Sequence, residues 1–235
     1  MKIALCISGF TRQYKECFRS YSQFLLSSLQ PTVNEVHVFL HGWHDKPEEV
    51  EMITGLYNAK SYHFHPFSLD KMQEIMNDVN VGYITSLDQS VKENRMKNNI
   101  TGMFYNIYKC NELKKQYAKE HDIKYDVTIH TRFDNAFFRP ISLSVKPNTI
   151  TFEHCRSNIC DHFYYGSDES MNTVAEIYLK LQELFAKKWS GIGAEHLLHY
   201  YIQREKRMDV FKRGGGIQHS VYYMATQHHK KLLIE

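Results

Sequence analysis

The chain has 235 residues, of which 43% are hydrophobic and 23% charged, with a formal net charge of +3. That length suits one domain with a real core, spanning residues 1–235, and the composition excludes a disordered chain. So small a positive excess leaves no electrostatic footprint for nucleic acid.

Lys2 to Ile7 is a continuous apolar run, the mark of a strand buried on both faces, and Ser8-Gly9 ends it. The run lacks a small-residue cleavage site and leads straight into Thr11, Arg12, Gln13 and Lys15, so it reads as a first strand and not a secretory leader. Five irregularly spaced Cys fit reduced thiols, and no segment is long enough to span a membrane; the expectation is a cytoplasmic protein. Tyr14 to Leu29 carries apolar residues at helical spacing and stops at Pro31. Glu35 to Leu40 is a second strand ending at His41-Gly42-Trp43, Pro47 to Asn58 a helix, and Ser61 to His65 a third strand.

Asp70 to Asn77 reads as a helix, and Asn98 to Glu120 as a long one. Along it Lys109, Lys114, Lys115 and Lys119 alternate with Glu112 and Glu120, which predicts a solvated face. Tyr125 to Thr131 is the best internal strand and opens on Arg132-Phe133-Asp134. Thr149 to Glu153 reads as a strand and Asp161 to Gly166 as a strand-to-loop passage. Met171 to Lys188 and Ala194 to Gln203 read as helices, and Lys212 to Gly216 as a loop. Strands alternating with helices predict an α/β fold of Rossmann type, a mostly parallel central sheet flanked by helices.

In such a sheet, ligands bind outside the carboxyl ends of the strands. The turn Ser8-Gly9-Phe10-Thr11-Arg12 is therefore a place to hold a nucleotide, with Gly9 admitting close backbone approach and Arg12 pairing with phosphate. Neither G-x-G-x-x-G nor G-x-x-x-x-G-K-[ST] occurs, against a dinucleotide enzyme and a P-loop kinase. Asp134, where a buried strand meets solvent, suits a divalent cation and its bound diphosphate, and Arg132 beside it either contacts phosphate or pairs with Asp134. The alternative for the pair is an Arg–Asp bridge that caps the following loop. Asp161, in an aromatic setting, and Glu195, at the start of a helix, compete as general base, each with an equal structural role open to it. His219, after Gly214 to Gly216, is positioned to close over the phosphates as a further metal ligand. The group His154, Cys155, Cys160 and His162 lacks the spacing of a structural zinc site.

Five stretches taken together carry a resemblance: M-K-I-A-L-C-I-S-G-F-T-R, V-H-V-F-L-H-G-W, N-N-I-T-G-M-F-Y-N-I-Y-K-C-N-E-L-K, Y-D-V-T-I-H-T-R-F-D and D-H-F-Y-Y-G-S-D-E-S-M. In this order they resemble a family of small GT-A-type glycosyltransferases of bacteria and large DNA viruses, over roughly Met1 to His199. The resemblance implies a GT-A fold, a nucleotide-sugar donor, a glycan acceptor and Mn²⁺ or Mg²⁺. It places Ser8, Gly9, Arg12 and Trp43 at the nucleotide, and Asn98, Asn99 and Met103 on the helix bordering the donor sugar. Arg132-Phe133-Asp134 stands where that family carries Asp-x-Asp, so one acid is missing. That gap keeps open a second reading, a nucleotide- or glycan-binding domain without turnover.

Overall fold

The computed structural model describes residues 1–29, 35–78, 90–155, 158–187, 193–213 and 221–223. The first apolar run forms β1 (Lys2–Phe10), followed by α1 (Tyr14–Ser20), a π-helical turn (Tyr21–Leu26) and α2 (Ser27–Leu29). Next come β2 (Glu35–His44), α3 (Glu48–Tyr57), β3 (Ala59–Pro66), α4 (Leu69–Asp78) and the long α5 (Ser90–Glu120). β4 (Val127–Thr131), β5 (Asn135–Phe137), β6 (Thr149–Cys155) and β7 (Asn158–Ser167) follow. The chain continues through α6 (Asp168–Ala175), a 3-10 turn (Glu176–Lys180), α7 (Leu181–Ala186), α8 (Ala194–Tyr200), a π-helical turn (Tyr201–Glu205), β8 (Asp209–Arg213) and β9 (Val221–Tyr223).

Seven strands form one sheet in the order β3-β2-β1-β4-β7-β6-β8, and β5 pairs with β9 in a second, two-stranded sheet. Six of the seven strands run in one direction, because β1, β2, β3 and β4 pair in parallel and β6 pairs in parallel with β8. Only β7 is reversed, antiparallel to β4 on one side and to β6 on the other. The α/β architecture expected from the alternating pattern is thus present, with helices on both faces.

Continuous apolar runs became the central strands because each face has its own core. Ile3, Leu5 and Ile7 of β1 pack with Tyr14, Cys17, Tyr21 and Ile53 on one face, while Ala4 and Cys6 pack with Phe39 and Cys110 on the other. A third cluster, beneath α5 and the helices after β7, joins Phe104, Ile107, Phe152, Tyr164, Val174 and Leu198. Residues four apart on α5 (Ile100, Phe104) and the next turn (Ile107) give it one apolar stripe toward the sheet.

The same helix overturns one expectation. Lys114 is not on a solvated face but fully buried, where its ammonium meets Asp168, Asn172 Oδ1 at 2.9 Å and Thr128 Oγ1 at 3.3 Å. Thr128 Oγ1 donates to Asp168 Oδ1 at 2.6 Å and Asn172 Nδ2 to Asp168 Oδ2 at 3.0 Å, so the buried pair has the extra hydrogen bonds it needs. Charge spacing alone did not distinguish this lysine from its exposed neighbours.

Other boundaries moved for identifiable reasons. β1 does not stop at Ser8-Gly9 but runs to Phe10, since Gly9 takes φ 120° and stays in register with Gly42 of β2. The passage beginning at Asp161 belongs to a full strand, β7, paired on both edges. Asp209–Arg213, read partly as loop, pairs with β6 as the edge strand β8. Gly214 to Gly216 and His219 lie outside the described residues. Among the described residues no helix is long and apolar enough to cross a membrane.

Candidate functional site

The strand order reverses between β1 and β4: β1, β2 and β3 step one way across the sheet, and β4 returns to the other side of β1. Such a switch point leaves a crevice outside the carboxyl ends of the two strands, where ligands bind in open α/β sheets. A cavity of about 610 Å³ occupies this place. Its lining comes from the end of β1 (Ser8, Gly9, Phe10 and, just after it, Arg12), from Trp43 of β2, and from His130 and Arg132 at the end of β4. Asn98, Asn99, Gly102, Met103 and Asn106, on one side of α5, form the opposite wall, and Phe67 and Met72 close it. The volume is within the ~300–1,000 Å³ usual for small-molecule sites.

Two glycines shape the floor. Gly9 adopts a positive φ that side chains disfavour, and a Cβ on Gly42 would lie 1.9 Å from the Gly9 carbonyl oxygen. Gly42 is thus where β1 and β2 approach most closely, and Gly9, with open space beside it, lines the cavity in a conformation that side chains disfavour. The Thr11 N–H donates to the Trp43 carbonyl at 3.0 Å, tying the turn after β1 to the end of β2.

One end of the cavity is aromatic. The Phe10 ring lies 5.2 Å from that of Phe67 and 6.5 Å from that of Trp43, and the exposed Arg12 places its guanidinium carbon 4.8 Å from the Phe10 centroid. Trp43 itself is 1% exposed. Flat apolar rings backed by a cation suit a planar, electron-rich group such as a nucleobase.

The other end is polar and cationic. Arg132 is held by Asp134 through two parallel bonds, Nε to Oδ1 and Nη2 to Oδ2, both 2.9 Å. The backbone beneath it is pinned from two sides: Tyr21 donates its hydroxyl to the Arg132 carbonyl at 2.5 Å, and Asn135 Nδ2 donates to Thr131 Oγ1 at 2.8 Å and to the His162 carbonyl at 2.7 Å. A guanidinium fixed this way is preorganised for a phosphate or carboxylate. Two arginines line the cavity and no Asp or Glu does, among the described residues.

Two histidines stand in the walls. Asn106 donates through Nδ2 to the Gly102 carbonyl at 2.6 Å, which aims its Oδ1 at His41 Nδ1, 2.9 Å away. Since Oδ1 only accepts, His41 carries its proton on Nδ1. His130 is 3% exposed, rests on Tyr164 at 4.8 Å between centroids, and has no hydrogen-bond partner at Nδ1 among the described residues. Burial, above all, pulls both rings down to about 3; the Asn106 bond opposes this at His41, and Arg132 adds to it at His130. In the unfolded chain these rings titrate near pH 6.5, so their contribution is complete above that pH and is lost as the pH falls toward 3. The expected result is a melting temperature that drops below pH 6, at up to about 1.4 kcal/mol per pH unit for each ring. A flat profile between pH 7 and 5 would show that the rings are not held neutral.

No family model matches the chain, and no curated protein matches it. Functional assignment rests on the chemistry of the cavity.

The structure brings Ser8, Gly9, Arg12, Trp43 and Arg132 together in its lining from the strand ends, and Asn99, which only the resemblance singled out, joins them from α5. It does not place Asp134, Asp161 or Glu195 there. Asp134 is 4% exposed and has both oxygens engaged by Arg132, so the bridge weighed as the alternative is the one formed. Asp161 is buried with Oδ1 3.2 Å from His162 Nε2, and Glu195 sits in the first turn of α8. Among the described residues no three His, Cys, Asp or Glu side chains are placed together to hold a metal ion. His219, expected as a ligand, lies outside the described residues.

Sequence reasoning left Phe67, Met72, Gly102, Asn106 and His130 out of the site. His130 was within reach, because strand alternation puts it on the same face as Arg132. Gly102 and Asn106 follow Asn98 by one and two helical turns. Phe67 and Met72 had no local signal, since only the packing of α4 on α5 brings them in.

Proposed function

We propose that the cavity binds a nucleoside diphosphate sugar and that the protein transfers the sugar to a hydroxyl of a glycan acceptor in the cytoplasm. The observation that carries this reading is a cavity at the switch point that is aromatic at one end, where Arg12 rests on Phe10, and carries the Asp134-braced Arg132 at the other, with no carboxylate in its described lining. The base stacks against the Phe10, Trp43 and Phe67 end. The diphosphate pairs with Arg12 and Arg132, which offset the charge that grows on the leaving phosphate as the glycosidic bond breaks. Asn98 and Asn99 offer amides to sugar hydroxyls. Asp134 acts one step back, holding Arg132 in place.

Among the described residues no carboxylate lines the cavity, so no base is assigned to the acceptor proton. A retaining course needs no such base, and the second reading is a domain that binds nucleotides or glycans without turnover.

A thermal-shift screen of nucleoside diphosphates and sugar nucleotides, with and without Mn²⁺, tests the binding half. Specific ligands are expected to raise the melting temperature by mass action, about 2.7 kcal/mol of added stability at a hundredfold excess over Kd. If no nucleoside diphosphate shifts the protein at millimolar concentration, the reading fails. Slow release of free sugar from the bound donor separates enzyme from binding domain.

A further inference from the structure

On the α5 face of the sheet, β2 and β3 bring three imidazoles together away from the cavity's arginines. His63 pairs in register with His41 and His65 with Trp43. His63 and His65, two residues apart on one strand, project to the same face, and their facing nitrogens, His63 Nε2 and His65 Nδ1, are 3.4 Å apart. Two metal–nitrogen bonds of about 2.0–2.1 Å at a tetrahedral angle separate their nitrogens by roughly 3.3–3.4 Å. We propose that His63 and His65 form a two-point site for a borderline transition-metal ion such as Zn²⁺, with solvent or a small external ligand in the remaining positions.

The surroundings suit that role. His65 is pulled down to about 4, by burial first, then by His63 and by Lys71 of α4, while Glu74 of the same helix acts in the opposite direction. Lys109 of α5 also disfavours its protonation. His41 completes the group at 5.8 Å from the His63 ring and 5.5 Å from the His65 ring. Its Nδ1 proton is fixed on Asn106, and it stays neutral beside the ion. His63 is exposed on the edge strand, so the ion enters directly from solvent.

Binding replaces the N–H···N contact between the rings. The ring whose proton faced its neighbour carries it instead on its other nitrogen, so His63 binds through Nε2 with Nδ1 protonated and His65 through Nδ1 with Nε2 protonated. Binding thus requires a change of tautomer in that ring. The site is a two-ligand one, since no third His, Cys, Asp or Glu among the described residues joins them to make a preformed cage.

The test is Zn²⁺ titration of the full chain against a chromophoric chelator, with Co²⁺ absorption as the geometric readout. The double variant His63→Gln/His65→Gln is expected to lose one equivalent, and each single variant to weaken it about tenfold or more. Unchanged stoichiometry and affinity in the double variant would overturn the proposal, because the metal would then sit on other histidines. Should that variant fail to fold, carbethoxylation of the natural chain decides: Zn²⁺ is expected to protect His63 and His65 in peptide mass spectra. Equal modification with and without Zn²⁺ would likewise overturn it.

Discussion

Arg12→Ala is expected to weaken nucleoside diphosphate binding by about ten- to a hundredfold while leaving the unliganded protein as stable as before. Arg12 is exposed and rests on the face of Phe10, so nothing buried depends on its charge. A hydrogen bond to a charged group contributes about 1.5–3 kcal/mol, which is that range of affinity. Arg132→Ala carries a different signature. It removes a phosphate partner too, but it also strands Asp134, which is 4% exposed, and breaking a buried pair from one side costs about 3–5 kcal/mol. Affinity and melting temperature then fall together. Asp134→Asn spares the buried charge but loses the two-oxygen grip on Arg132, so binding is expected to weaken with a smaller loss of stability. Calorimetry of all three variants with one nucleoside diphosphate makes the comparison, and Arg12→Ala binding at natural affinity would remove Arg12 from the site.

Gly42→Ala is expected to be the most damaging single methyl group in the protein. Its Cβ would lie 1.9 Å from the carbonyl oxygen of Gly9, a backbone atom held in the parallel β1–β2 ladder. No rotamer relieves a clash between a Cβ and a peptide group, so the two strands must separate at the cavity floor. We expect a loss of about 4 kcal/mol or more, at the extreme of what single substitutions do. Gly9→Ala is milder: nothing lies within 4 Å of the new Cβ, and the strain of φ 120° alone costs about 1–3 kcal/mol. Gly55→Ala in α3 is the control, with open space and an ordinary backbone, and should stabilise by about 0.5–1 kcal/mol. Urea denaturation ranks the three, and a Gly42 variant as stable as the Gly55 variant would mean that the strands are not locked in this register.

β1 was legible because its sequence has hardly any polar side to show; β2 and β4 were read as buried although His37, His41, Thr128 and His130 interrupt them, and those polar side chains are buried as well. β7 was harder, since Asp161 and His162 come just before the Phe163–Ser167 stretch that pairs with β4, and its chain direction leaves no mark on composition. β8 is short and half charged, and β5 and β9, at three residues each, are below the length at which alternation shows. The site was legible wherever a residue follows a buried strand, which is why Ser8, Arg12, Trp43 and Arg132 were found. Carboxylates after strands were misleading for the same reason. Asp134 is placed as a metal ligand would be, and only the folded backbone reveals that it turns back on the arginine two residues earlier. Lys114 illustrates the converse, a charge in a solvent-like pattern whose burial is set by Asp168, 54 residues away.

The central position of β1 has a consequence for how the protein is made. Its partner on one side, β4, begins after Asp126, and the hydrogen bond from the Lys2 N–H to the Asp126 carboxylate spans 124 residues. During synthesis at about 5–20 residues per second, β1 waits roughly 6–25 s after its own emergence before β4 exists. For that interval one edge of the most apolar strand in the sheet is an open template for another chain, with Ile3, Leu5 and Ile7 beside it. Nascent-chain holding factors would have their strongest purchase there, and slowed translation between β3 and β4 would lengthen the exposure. The pairing that closes this edge also brings Arg132, just after β4, into the same cavity lining as Ser8 and Gly9, so the cavity is completed in the step that ends the exposure.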